Sequence, residues 1–443
     1  MTQYTTASRF VRRVAAVSFA LALGSTAACN DFLVAENPGA IEETDLNTPA
    51  YVTLVANGPI FAFQAAHDDL AYWNGQMSDE ITNRGNFNPF IEEGQIDRRE
   101  LHSDMSYINA FLYAPIQRAR YSAEDAARRL NIILADSAAR DLRVARSHAY
   151  AGYSYVYLSE MMCVAPIDLG PPKSPDELFG DALTHFDQAI TTATAARQHA
   201  LGLTPANTAA AAAADSVINF ALVGSARAAL NRDQKAEAIA FATQVPDDFE
   251  FYSYYSENSA GQNNRVWNRL TVGSNGWLVG TPFEAMIGDP RVPRISDGTN
   301  RDGTQLSPSS FSTFNNSIPG ADFAAGSAIR IASGLEARYI IAEAEGAVPS
   351  TETFVNERRA AGLQAPVALA GDSLMAELRD QRSRDFYLSN HRLGDLRRYK
   401  QFYGVNLFPT GPYPGSTTGQ VYNDEVDCWP LPRNEINDNP NIS

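Results

Sequence analysis

From Asp104 to about Cys163 the chain repeats apolar residues at intervals of three and four, in YINAFLYAPIQRARYSAEDAARRLNIIL and again in ARDLRVARSHAYAGYSYVYLSEMMC. That period places apolar side chains along one stripe of an α-helix. Only a short Asp/Ser/Ala connection joins the two runs, so they are predicted to fold back on each other as an antiparallel helical hairpin. It is the longest helical region of the chain.

Further helices follow the same logic. A helical pattern runs from Pro49 to about Ala66. Ser174-Pro175-Asp176-Glu177 has the chemistry of a helix start, with Ser174 as cap and Pro175 in the first turn, and the helix is expected to reach about Arg197. An Ala-rich helix over Thr208–Leu230 abuts Asn231–Thr243, which Pro246 closes. Phe220–Pro246 reads like a tetratricopeptide repeat, with Ala at close-packing positions, a short polar turn and a second helix near Lys235. Leu335–Gly346 with Thr351–Ala361 makes another pair. The fold class expected is mostly α, built from tetratricopeptide-like helical hairpins. Loop-rich insertions at about 67–103, 247–325 and 403–443, rich in Gly, Asn, Ser, Pro and aromatics, are expected to make a mixed ligand-binding face, since such loops on a rigid scaffold carry sites.

The N-terminus is a targeting segment and not fold. Arg9, Arg12 and Arg13 precede an apolar run, Val14–Ala28, that ends at Cys29. The run is shorter than the roughly 20 apolar residues a spanning helix needs. Small residues directly before a Cys resemble a bacterial lipoprotein signal, although Thr26 stands where such signals usually carry Leu. The expected organisation is a signal peptide at 1–28, a lipid-anchored extended leader at 29–48 with lipid on Cys29, and a single domain at 49–443. Lys and Arg number 35 against 51 Asp and Glu, a formal charge of −16, which becomes −19 once the three arginines before Cys29 are removed. A chain this acidic lacks the basic field that nucleic acid requires. With Cys29 lipidated, two cysteines remain, Cys163 and Cys428. In an exported protein they either pair or stand as two separate buried thiols.

Several local patterns together resemble the SusD/RagB family of outer-membrane lipoproteins. Asn30-Asp31-Phe32-Leu33 follows Cys29, with Asn37-Pro38 close behind, and Gln76-Met77-Ser78-Asp79-Glu80 is similar to the family's early "sDE" segment. Asp289-Pro290-Arg291 matches its "DPR". Arg338–Glu345 and Val355–Gly362 match its paired "AEA" and "vN.vR.raG" helices. Gln381–Arg398, QRSRDFYLSNHRLGDLRR, keeps Arg382, Arg384, Asp385, His391, Arg392, Asp395, Leu396, Arg397 and Arg398 in register. Gln381 replaces a Glu there, and Ser389-Asn390 replace Glu-Gly. The tail, Trp429–Ile436 and Asn439-Pro440-Asn441, is similar to the family's closing motif.

The resemblance implies a SusD-like α–α superhelix and a cell-surface, outer-membrane protein that binds an oligosaccharide or peptide and hands it to a SusC-like TonB-dependent transporter. It implies no enzyme and no cofactor. A lipid-anchored scaffold that binds protein partners through its helical repeats is the alternative, and a surface hydrolase a third reading. The residues agree with a binding role: the six histidines form no zinc-ligand spacing, and there is no GxSxG elbow or phosphate-cradling loop. No metal site is expected. Among paired acids, Glu42-Glu43 and Asp68-Asp69 read as solvated surface, and His148 as a satisfied core histidine. Arg382, Asp385, Arg392, Asp395 and Arg397 are expected to form an ion-paired structural junction where a helix meets an aromatic strand, Tyr399–Phe408. Ligand contacts are expected from loop aromatics with amide neighbours, Phe87, Asn88, Phe90, Trp267 and Trp277, because sugars and peptides both exploit aromatic platforms. Trp73-Asn74 has the same look, and Trp429 reads as core.

Overall fold

The helical periods of the sequence become helices in the computed structural model, which describes residues 41–82, 91–271, 278–284, 286, 289–292, 324–413 and 419–442. Helix α1 spans Val52–Ser78, α2 Glu92–Asp97, α3 Ala114–Leu134 after one π-helical turn at Ile108–Tyr113, and α4 Leu142–Met161. Next come α5 (Pro175–Leu201), α6 (Thr208–Leu230), α7 (Lys235–Ala242), α8 (Arg265–Thr271) and α9 (Thr281–Glu284). The last five are α10 (Gly334–Glu345), α11 (Pro349–Ala361), α12 (Gly371–Asp385), α13 (Arg392–Tyr403) and α14 (Arg433–Asp438). Three short antiparallel ladders complete the described chain: β1 (Ile81–Thr82) with β5 (Leu278–Val279), β2 (Ala165–Pro166) with β3 (Pro172–Lys173), and β4 (Glu250–Ser253) with β6 (Ile329–Ser333). The fold is mostly α. Pro49–Ser443 forms one unit and Met1–Thr48 another, of which the described part holds a 3-10 turn at Asp45–Asn47.

Local chemistry sets these boundaries. The Ser174 hydroxyl accepts from the Glu177 amide at 3.3 Å, while the Glu177 carboxylate accepts from the Ser174 amide at 2.7 Å. This capping box satisfies amides that a helix start leaves without partners, and Pro175 supplies the φ of the first turn. Asn207 caps α6 and Asp141 caps α4 in the same way, each accepting from a backbone amide.

Helices α4, α5, α6 and α7 pack in succession, each against the next. The closest approach is built from glycine. Phe186 of α5, fully buried, lies between Gly152 of α4 and Gly224 of α6. A Cβ added to Gly152 would stand 2.5 Å from the ring, and one added to Gly224 2.2 Å from it. Only residues without side chains let both neighbours close on the ring. Helix α6 is long and apolar enough to cross a membrane, but its C-terminal half is core, packed among α4, α5, α7 and α10.

The C-terminal tail returns to the hairpin of α3 and α4. Cys163 and Cys428 form a disulfide with Cα atoms 5.0 Å apart. Trp429 pairs with Met162 beside it, its amide donating to Met161 O at 2.8 Å and its carbonyl accepting from the Cys163 amide at 3.0 Å. Its fully buried indole donates to Asn74 Oδ1 at 2.8 Å.

Two expectations need correcting here. The stretch placed in a loop-rich insertion at 67–103 is helical as far as Ser78, and Trp73-Asn74 belongs to that helix. Residues 66–82 are buried on every side, so no polar face marks a period. His67, Asp68, Asn74 and Gln76 read as loop chemistry, but each is satisfied from outside the helix: by Ser253 Oγ, the Arg265 amide, Asn390 Oδ1 and Glu93 O. The second correction concerns Tyr399–Phe408. Tyr399–Tyr403 is the end of α13, closed by Gly404 at φ +66°, and the residues after it form no strand. The aromatics there face α12, where Arg379 lies over Tyr399 and Tyr403 at 5.2 and 5.4 Å.

Candidate ligand-binding site

Three polar contacts draw distant parts of the chain to one place. Thr82, the last residue of β1, pairs with Leu278 of β5. The Thr82 hydroxyl donates to Asp97 Oδ2 at 2.9 Å and lies 3.3 Å from the Tyr413 hydroxyl, which also donates to Asp97 Oδ2, at 2.5 Å. Thr82 precedes segment 83–90 and Tyr413 precedes 414–418, and the two meet at one buried carboxylate, while Leu278, which follows 272–277, is held beside Thr82 by the β1–β5 ladder. Gly280 seals the ladder. Its amide donates to Glu80 O at 2.8 Å, and a Cβ there would stand 1.5 Å from Asp79 O.

The other end of segment 272–277 is held by α8, which is clamped to α1. Arg265 pairs with Asp69, and its amide donates to Asp68 Oδ2 at 2.9 Å. Arg269 donates to Asp69 Oδ1 at 2.8 Å while lying 4.6–4.9 Å over the rings of Tyr72, Trp73 and Phe111. Asp68 and Asp69, expected on a solvated surface, are buried at 2 and 1 % exposure. Burial, then the neighbouring Asp69 charge, lifts the Asp68 carboxyl to about 7. The Arg-x-x-x-Arg spacing of Arg265 and Arg269 puts both cations on one helix face, but nothing in it points to Asp68 and Asp69 as their partners.

Beneath the stems lies a buried ionic layer. Arg392 forks onto Asp79 at 2.7 and 2.6 Å, and Arg382 donates to Asp395 at 2.7 Å. Asp395 also accepts from Arg398, which forks onto Glu343 at 2.7 and 2.9 Å. Asp385 is bound by Arg358 at 2.8 and 2.7 Å and by Tyr339, and Arg397 donates to the carbonyls of Ser159, Glu160 and Met162. The five junction residues therefore do not form one closed set: only Arg382 and Asp395 bond each other, and the rest tie α12 and α13 to Asp79 after α1, to α4 and to α10 and α11. Gln381, in place of a Glu, accepts from Arg291 at 2.9 Å and donates to Gln364 and Glu377, the second role being one a carboxylate cannot play.

One constellation looks catalytic and is not. Ser389 Oγ lies 3.0 Å from His391 Nδ1, whose Nε2 lies 3.2 Å from Glu336. The Ser389 hydroxyl, however, donates to Phe386 O at 2.6 Å, and the same Nδ1 is 2.9 Å from Ser389 O. All three side chains are buried, and burial holds His391 down at about 4. The group orients the α12–α13 turn. His148 is half-buried, 3.2 Å from His185, and its burial lowers it to about 4. Among the described residues, no three His, Cys, Asp or Glu side chains gather where they would hold a metal ion.

Of the expected ligand residues, Trp267 lies in α8 with its side chain partly buried against the core. Phe87, Asn88, Phe90 and Trp277 fall outside the described residues, as does Cys29.

No protein-family model and no curated protein matches the chain. Solved structures do. The SusD-like carbohydrate binding protein of Bacteroides vulgatus superposes with a TM-score of 0.61 at 14% identity, covering 89% of this chain and 97% of that one. A SusD superfamily protein of Bacteroides fragilis gives 0.62 at 14%, over 89% and 99%. The chain has the SusD-like fold. Surface glycan-binding protein A of Bacteroides uniformis shares it as well, at 11% identity and a TM-score of 0.61, covering 89% of this chain and 98% of its own. In this SusD-like chain the helices α3 to α7 pack in succession, and Thr82, Leu278 and Tyr413 come from outside that run, after α1, between α8 and α9 and after α13.

Proposed function

We infer that this is a surface lipoprotein of the SusD/RagB type that binds an oligomeric nutrient and passes it to a SusC-like TonB-dependent transporter. It is a binding protein and not an enzyme. Residues 1–28 direct export, Cys29 carries the lipid, 29–48 is the tether and 49–443 the binding domain. The observation that carries the reading is the meeting of Thr82, Leu278 and Tyr413, which brings the stems of the segments bearing Phe87, Asn88, Phe90 and Trp277 to one place. The SusD-like fold supports it, since neighbours that share this fold are carbohydrate- or glycan-binding proteins. Aromatic faces stack on the apolar side of a sugar ring or a peptide side chain, and the amide of Asn88 suits hydroxyls or a peptide bond. The rigid ionic layer beneath holds the platform in place before ligand arrives, which reduces the ordering cost of binding.

A screen of the purified mature chain against glycan and peptide arrays tests this. The expected result is binding of one oligomeric class, weakened severalfold to about tenfold by Phe90→Ala or Trp277→Ala, one decade being about 1.4 kcal/mol. Absence of any oligosaccharide or peptide ligand, with protein partners captured instead, would favour the scaffold reading.

A further inference from the structure

A concave site lies well away from those stems. It is a groove of about 250 Å³ between the first half of α1, the start of α4, the middle of α6 and β4. Gln64 and Arg146 line it together with Tyr150, Ser216, Tyr252 and Tyr254. From Gln64 to Ser78, where the stems begin, is fourteen residues of helix, roughly 21 Å at 1.5 Å each.

The chemistry of the lining is specific. Tyr254 is 67 % exposed, and its ring lies 6.1 Å from that of Tyr252. A large aromatic ring held open to solvent is a stacking platform in want of a face. Arg146 is half-buried and, among the described residues, has neither a hydrogen-bond partner nor an ion pair, and the same is true of the Gln64 amide and the Ser216 hydroxyl. Among the described residues no acid lines the groove, in a chain of charge −16. A half-buried guanidinium without a counter-ion calls for a carboxylate, which it binds through paired N–H donors. The volume is below the range of pockets that take drug-sized ligands, and suits a single ring.

We propose that this groove binds one acidic sugar residue, a uronate, with its ring face on Tyr254, its carboxylate on Arg146 and its hydroxyls on Gln64 and Ser216. It would be a secondary contact for an acidic glycan, separate from the loop site and independent of it.

Titration calorimetry of the mature chain with methyl galacturonoside and methyl galactoside, which differ only at the carboxylate, tests the assignment. The uronate is expected to bind at least tenfold more tightly than the neutral sugar. Arg146→Gln, at a position with no partner to lose, should abolish that preference without lowering the unfolding midpoint, and the exposed Tyr254→Ala should weaken both ligands. Trp277→Ala should leave uronate binding unchanged. Equal affinity for the two sugars, no binding of either at millimolar concentration, or an undiminished preference in Arg146→Gln would overturn the proposal. So would loss of uronate binding in Trp277→Ala, which would move the ligand to the loops.

Discussion

Gly224→Ala is the smallest change that tests how the repeat helices close on one another. The added methyl would stand 2.2 Å from Phe186 Cζ and 2.6 and 2.8 Å from the two Cε atoms, where carbon atoms settle at about 3.5–4.0 Å. The ring must withdraw by more than an ångström, and it has nowhere to go. Gly152 crowds the same end of the ring, at Cε1, Cδ1 and Cζ, and Tyr153 packs against it edge-on at 5.1 Å while itself stacking on Phe220 at 4.3 Å. Overpacking of this kind costs about 1–3 kcal/mol, against at most about 1 kcal/mol gained from replacing a helical Gly by Ala. A net loss of roughly 1–2 kcal/mol is expected, measured as a lower urea midpoint at unchanged slope. Phe186→Leu alone should also destabilise, by leaving a void. Combined, the two changes should relieve each other, because the methyl enters space the ring has vacated, and the double-mutant cycle should show a favourable coupling of about 1 kcal/mol or more. A Gly224→Ala protein as stable as the parent, or strictly additive changes, would refute the close-packed account of these helices.

Three further outcomes follow from specific groups. Burial raises the Glu80 carboxyl from 4.5 to about 8, with the Leu388 amide bonded to it opposing the shift. A group that is more readily protonated in the folded state contributes stability in full below its unfolded value and loses it as pH rises toward 8. Glu80→Gln copies the protonated form, so its Tm should fall less than that of the parent between pH 5 and pH 8; equal falls would refute the assignment. The disulfide joins positions 265 residues apart, a loop for which the chain-entropy model gives roughly 5 kcal/mol. Cys163→Ser/Cys428→Ser should therefore unfold at clearly lower urea, and an unchanged midpoint would contradict that. Labelling with a fatty-acid analogue should tag the parent and not Cys29→Ser, whereas equal labelling would end the lipoprotein reading.

The parts of the fold legible in the sequence are those where one face of an element is wet. Ser174 to Leu201 shows a cap, a first-turn proline and an amphipathic stripe, and Pro349–Ala361 shows a first-turn proline and a polar outer face. The second half of α1 was hidden because burial on all sides removes the period. Its polar residues are paid for by partners far along the chain, as when Asn74 meets Asn390 across 316 positions. For the same reason Asp68-Asp69 looked like surface: nothing local signals Arg265 and Arg269. Tyr399 and Tyr403 suggested a strand because aromatics favour strands, but their four-residue spacing is a helical one that serves Arg379. Composition marks segments 83–90, 272–277 and 414–418 as rich in Gly, Asn, Ser, Thr and Pro. That Thr82 and Tyr413 converge on Asp97 is not readable, because three contacts among three separate segments make it so.

The measurement that tests the binding account most directly is hydrogen–deuterium exchange of the mature chain with and without a saturating oligomeric ligand from the screen. Slowed exchange is expected in peptides that carry 83–90, 272–277 and 414–418, together with their stems at Thr82, Leu278 and Tyr413, while the α5–α6 repeat helices stay unchanged. Protection confined to the repeat helices, with those three segments exchanging as in the free protein, would contradict it.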